Sequence, residues 1–288
     1  MLIFSLIHVA SALSIPVVIP SSVAYFLNQD LGNVTLTSSG ISKTTPETLI
    51  MFELGLKLYH LFSFELARTA FELAAQYDNS FILAYWGQAI SFKSPIWHTE
   101  DIEKAGLVLA KITQEVMEAS TQKEQLLLHA IRTYMDPVNS VFQREEYYVA
   151  EMEMISLNFP EDADIGALYG VALLGVASNS AQKDSVDLAR HTLTSLNAKF
   201  PNHRGIQHYL VHASDTPEFA LLAIPIAKQL ANSTPSATHA NHMLSHLALQ
   251  VGRWGDVFNS NNAAVFGSET YCFAIGEGYS CDAEYLII

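Results

Sequence analysis

The chain has 288 residues, 50% of them hydrophobic, and carries 15 Lys and Arg against 29 Asp and Glu, a formal net charge of −14. That apolar content is enough to bury a large core and excludes a disordered chain. The acidic balance, with no run of Lys or Arg, excludes a nucleic-acid or anionic-membrane surface, because both depend on clustered cations.

The chain opens MLIFSLIHVASALSIP, an apolar stretch closed by the small residues Ala10-Ser11-Ala12. This pattern predicts a signal peptide over residues 1–12 and a secreted or endomembrane-lumenal protein. A signal anchor running to Leu27 is the alternative, but Pro16, Pro20 and Ser21-Ser22 interrupt it, and an unbroken span needs roughly 20 apolar residues. With the leader cleaved, no stable membrane insertion is expected. Asn33-Val34-Thr35 and Asn232-Ser233-Thr234 are glycosylation acceptor patterns that agree with secretion. Residues 13–45 read as a linker, polar and rich in Ser, Thr and Gly from residue 28 onward.

From residue 46 almost every segment has helical period, with no strand-like alternation, so the fold is expected to be all-α. Thr45-Pro46, Asp136-Pro137, Thr216-Pro217 and Thr234-Pro235 each place an N-cap side chain before a proline suited to the first helical position. Pro225 falls inside the helix expected from Pro217 and should kink it. Tyr85, Trp86, Phe92 and Trp97 have core spacing, and Glu145, Glu146, Glu151 and Glu153 read as a solvated helix face.

The clearest unit is ELGLKLYHLFSFELARTAFELAAQYDN, residues 53–79, continued by AYWGQAI at residues 84–90. Leu54, Gly55, Ala67, Phe71 and Ala74 alternate small residues for a close helix crossing with larger ones for the core. On these residues the chain resembles the tetratricopeptide-repeat family, specifically over about residues 47–97 and loosely over 100–180. The resemblance implies a right-handed superhelix of antiparallel helix pairs across residues 46–268, with a concave groove that holds a protein or peptide segment. Pro201 and Pro235, 34 residues apart, keep the repeat length, since proline commonly follows the second helix of such a repeat. Residues 269–288 form a C-terminal segment that stops at YLII, partway into a further helix pair; either that pair is truncated or a partner covers it. Cys272 and Cys281 can close a small disulfide loop or remain two buried thiols.

The histidines carry the chemistry. His208 and His242 are 34 residues apart, as are His212 and His246, so the two pairs should face each other across neighbouring repeats. Residues three and four apart share a helix face, which makes His208 and His212 a pair and His239, His242 and His246 a stripe. The five are the candidate metal ligands. Imidazole suits zinc, copper or iron, and the cluster lacks the carboxylates that calcium or magnesium need. Neither HYLVH nor HMLSH has the glutamate of zinc peptidases, so no general base is evident. The plainer reading makes these histidines packing groups between helices. His60, at a helix end, and His98, in a turn after Trp97, are weaker candidates. No glycine-rich phosphate loop, Gly-x-Ser-x-Gly elbow or Cys-x-x-Cys pair is present.

Two functions follow as expectations. One is a secreted repeat module binding a protein, a peptide or a small ligand in its groove, and the other is a transition-metal protein or metal-dependent enzyme built on the histidine cluster.

Overall fold

The computed structural model describes residues 17–180 and 183–277. The signal peptide over residues 1–12 and Cys281, hence its pairing with Cys272, lie outside the described residues. Those described form fourteen helices and no strand. The helices relevant below are α1 (Ser21–Phe26), α2 (Pro46–His60), α3 (Phe64–Tyr77), α4 (Ile82–Ile90), α5 (Ile102–Leu109), α6 (Gln114–Ala119), α7 (Gln122–Tyr134), α8 (Val141–Asn158), α9 (Ala163–Ser180), α10 (Lys183–Lys199), α11 (Arg204–Ala213), α12 (Ala220–Ser233), α13 (Thr238–Gln250) and α14 (Trp254–Ile275). None of the described helices is long and apolar enough to cross a membrane.

Consecutive helices pack as neighbours: α2 on α3, α3 on α4, α7 on α8, α8 on α9, and then each on the next from α9 to α14. Small residues allow the close approaches. A Cβ on Gly55 would lie 2.7 Å from the Phe71 ring and one on Gly87 2.5 Å from it, so α2 and α4 grip α3 through one aromatic side chain. All nine residues of α4 are buried, as is α9 from Ala163 to Ala177. A helix apolar on every side has to be covered on every side. The two ends of the described chain also meet, since α1 packs on both α3 and α14, and α2 on α11.

The helix starts divide by local chemistry. Thr45 caps α2 as expected, its hydroxyl accepting the Thr48 N–H at 3.2 Å ahead of Pro46. The other three Pro-linked caps fall elsewhere. Asp136 accepts from the Val138 N–H and the Asn139 amide in a turn, and Ser140 with Gln143 forms the capping box of α8 instead. Thr216 lies in a turn before α12, and Thr234 bonds back to the Leu230 carbonyl at the end of α12. Pro225 does lie inside α12.

Two further boundaries differ from expectation. The break at residue 268 falls inside α14, which runs to Ile275. Residues 28–45 are no free linker: Leu31 and Leu36 are buried, Lys123 Nζ donates to the carbonyls of Leu36 (2.7 Å) and Ser39 (3.0 Å), and Ser42 bonds to Glu124. Polar residues there satisfy buried partners rather than water.

Candidate metal centre

The α2–α3 turn, α11 and α13 build the site. α11 starts at His203, whose Nδ1 accepts the Ile206 N–H at 3.2 Å, and it presents His208 and His212 one turn apart. α13 brings His239 from its first turn. The Nε2 of His212 lies 3.1 Å from that of His208 and 3.5 Å from that of His239. The ligand atoms of all three lie within 4.8 Å of one another, and the group can hold a metal ion.

Hydrogen bonding assigns one tautomer. His208 Nδ1 lies 2.6 Å from the carbonyl oxygen of His60. That carbonyl ends α2, where helical carbonyls lack intrahelical donors, and it can only accept. His208 therefore carries its proton on Nδ1 and turns a lone pair on Nε2 toward the other two rings. Without a cation, His212 Nε2–H can serve only one of its two nitrogen neighbours. A cation among the three satisfies them together.

Burial favours the same state. His208 is fully buried, which pushes its pKa down to about 3. Burial first, and the neighbouring imidazoles second, hold His212 and His239 well below the ordinary histidine value. All three are neutral at pH 7 and fit to ligate. Phe62 lies against the group, its ring 4.4 Å from that of His208 and 5.4 Å from those of His212 and His239. Trp97, expected in the core, is 39% exposed and sets its ring 5.7 Å from His239, covering one side.

Of the five expected ligands the structure brings these three together. His242 and His246 stand beside them on α13, their rings 6.1 Å from His239 and 5.9 Å from His212 respectively, outside the three-nitrogen group.

A second group that can hold a metal ion was not legible as a set: His60, Asp164 and His203, all buried. His60 Nε2 and His203 Nε2 each lie 2.8 Å from Asp164 Oδ1. Because His203 Nδ1 accepts a backbone N–H, its Nε2 donates to the carboxylate. His60 Nδ1 lies 3.0 Å from the Tyr209 hydroxyl, which completes its pairing. The other carboxylate oxygen takes the Leu36 N–H at 2.7 Å and that of Thr35. Burial alone would raise the Asp164 pKa, but His203 and His60 override it and hold the carboxyl well below its usual range. These atoms are spent on one another, so the group reads first as a clip joining α2, α9, α11 and the 28–45 segment. His60 does end α2, but buried: its side chain anchors the clip while its carbonyl orients His208.

Glu145 is buried, 2.9 Å from Lys93 Nζ and 3.3 Å from His98 Nδ1, not part of a solvated face. Lys93 also pairs with Glu100 at 2.7 Å, which in turn takes both terminal nitrogens of Arg144. Asp164, Phe62 and Asn261, all of which touch the histidine network, left no sequence signal, because their partners lie far along the chain or on a separate helix.

No family model matches this chain, and no curated protein matches it in sequence.

Proposed function

We propose that the protein binds a first-row transition-metal ion, zinc by preference over copper or iron, through His208, His212 and His239. The observation that carries the reading is the convergence of three Nε2 atoms at 3.1 and 3.5 Å with the His208 lone pair directed inward. Tetrahedral zinc with bonds of about 2.0–2.1 Å places its ligands about 3.3 Å apart. Three protein ligands leave one position open, the arrangement of catalytic rather than structural zinc, where the ion supplies an activated water or a polarised carbonyl. The chain's residues orient the imidazoles, keep them neutral and exclude bulk water.

The 34-residue spacing and the consecutive helix pairing support a tetratricopeptide-like arrangement around this centre. The metal reading is preferred to peptide docking because the histidine nitrogens face one another, with His208 and His239 buried and His212 half-buried.

Elemental analysis of the protein purified without a histidine tag tests the proposal. One tightly held ion per chain, lost in His208→Ala/His212→Ala with helicity intact, is the expected result. No zinc, copper or iron retained after reconstitution overturns it.

A further inference from the structure

His242 and His246 are one turn apart on α13, with ring centroids 4.7 Å from each other, and the three-histidine group uses neither. Each has its Nδ1 tied from behind. His242 Nδ1 lies 2.7 Å from Asn261 Oδ1 on α14, with the Ser245 hydroxyl at 3.1 Å. His246 Nδ1 lies 3.1 Å from Asp215 Oδ2, and the other Asp215 oxygen accepts from Gln250 Nε2 at 2.9 Å. Amide and carboxylate oxygens accept, so both rings carry the proton on Nδ1 and a lone pair on Nε2. This is the outer hydrogen-bonding pattern that fixes metal-ligating histidines, and it repeats what the His60 carbonyl does for His208.

We infer that His242 and His246 hold a second transition-metal ion beside the first, so that the five histidines form a two-ion centre. Ring separations of 5.9 Å (His212 to His246) and 6.1 Å (His239 to His242) set the two pairs of rings side by side with no histidine in common, the adjacency that a two-ion centre needs. The side chains of His246 and Asp215 are 34% and 28% exposed, whereas His208 is fully buried, so the second ion faces solvent. With two imidazoles and water as ligands it favours zinc, copper or nickel over magnesium or calcium, and it exchanges faster than the first. The inference rests on the three-histidine reading, and its test separates the two.

The test dialyses metal-free full-length protein against Zn²⁺ alone and counts bound ions. Two ions per chain are expected, one tight and one weaker, and His242→Ala/His246→Ala should keep only the tight one. Saturation at one ion, unchanged in that variant, overturns the second site and leaves the first standing; no bound zinc overturns both. Should the double variant fail to fold, Asp215→Asn replaces the carboxylate with a near-isosteric amide. It should weaken the second ion about tenfold and leave the first untouched, and equal affinity for both ions in Asp215→Asn and the unaltered protein overturns the inference.

Discussion

Phe62 has a φ of +64°, a left-handed conformation that costs an L-residue roughly 1–2 kcal/mol, yet its ring is buried against His208. The turn after α2 accepts that strain and places an aromatic wall against the three histidines of the candidate centre; strained backbone of this kind clusters at functional sites. Removing the ring should destabilise the fold by about 3–5 kcal/mol in both Phe62→Ala and Phe62→Gly. Glycine should be the better replacement by about 0.5–1 kcal/mol, the reverse of its usual rank against alanine. Urea denaturation of the two variants checks this, and alanine proving equal or better would remove the strain argument. Gly205 marks a second tight contact of the site. A Cβ there would lie 2.5 Å from His60 Nδ1, at the place where α11 crosses the end of α2. Gly205→Ala should cost about 1–3 kcal/mol as an overpacked contact. It should also weaken zinc binding, because displacing His60 moves the carbonyl that holds His208. Unchanged zinc affinity in a destabilised Gly205→Ala would uncouple the two.

At the scale of elements, buried charge fastens the turn between α4 and α5 onto α8: Lys93 lies between Glu100 and Glu145, and Arg144 holds Glu100. Burial tends to raise the Glu100 pKa, but hydrogen bonds from Arg144 and Lys93 outweigh it and the net shift is downward. A carboxyl whose folded pKa lies below its unfolded value adds stability above that unfolded value and loses it as pH falls through the folded one. Glu100→Gln should therefore cost about 1.5–3 kcal/mol at pH 7, the range for hydrogen bonds to charged groups. The gap to the unaltered protein should begin to narrow below the ordinary glutamate value of about 4.3 and go on narrowing as pH falls through the lower folded value, where Glu100 itself becomes neutral; denaturation midpoints from pH 3 to pH 7 read the narrowing, and a pH-independent gap would contradict the linkage. Helices such as α2 and α3 were legible because Thr45-Pro46, Gly55 and Phe71 carry their signals within a few residues. The role of Glu145 was not, since its helical spacing is that of a solvated face and the partners that make its burial tolerable include Lys93 and His98, 52 and 47 positions earlier. Residues 28–45 differ from a linker for the same reason, because Thr35, Ser42 and the Leu36 carbonyl find partners in Asp164 of α9 and in Glu124 and Lys123 of α7.

Across the whole molecule, the candidate centre lies where distant parts of the chain close on one another. The end of α2 meets α11, Asp164 of α9 bonds both His60 and His203, and α13 supplies His239. The pairing of His208 with His212 could be read from a four-residue spacing, and the approach of α13 from a 34-residue one. Which histidine of α13 joins them could not, because His239, His242 and His246 share one face and only the rotation of α13 against α11 selects His239. An ion bound there ties two helices directly and a third through the His60 carbonyl, and it binds only when all are assembled. Its binding free energy then adds to folding stability, about 2.7 kcal/mol at a free concentration one hundred times Kd. At roughly 2–4 °C per kcal/mol for a chain of this size, the melting temperature should rise by about 5–10 °C. Thermal unfolding of the metal-free protein with and without saturating zinc measures it. The rise should vanish in His208→Ala/His212→Ala, and it should persist, somewhat reduced, in His242→Ala/His246→Ala, where the buried three-nitrogen group is intact. An equal rise in all three proteins would mean that zinc stabilises the chain from somewhere other than the histidines.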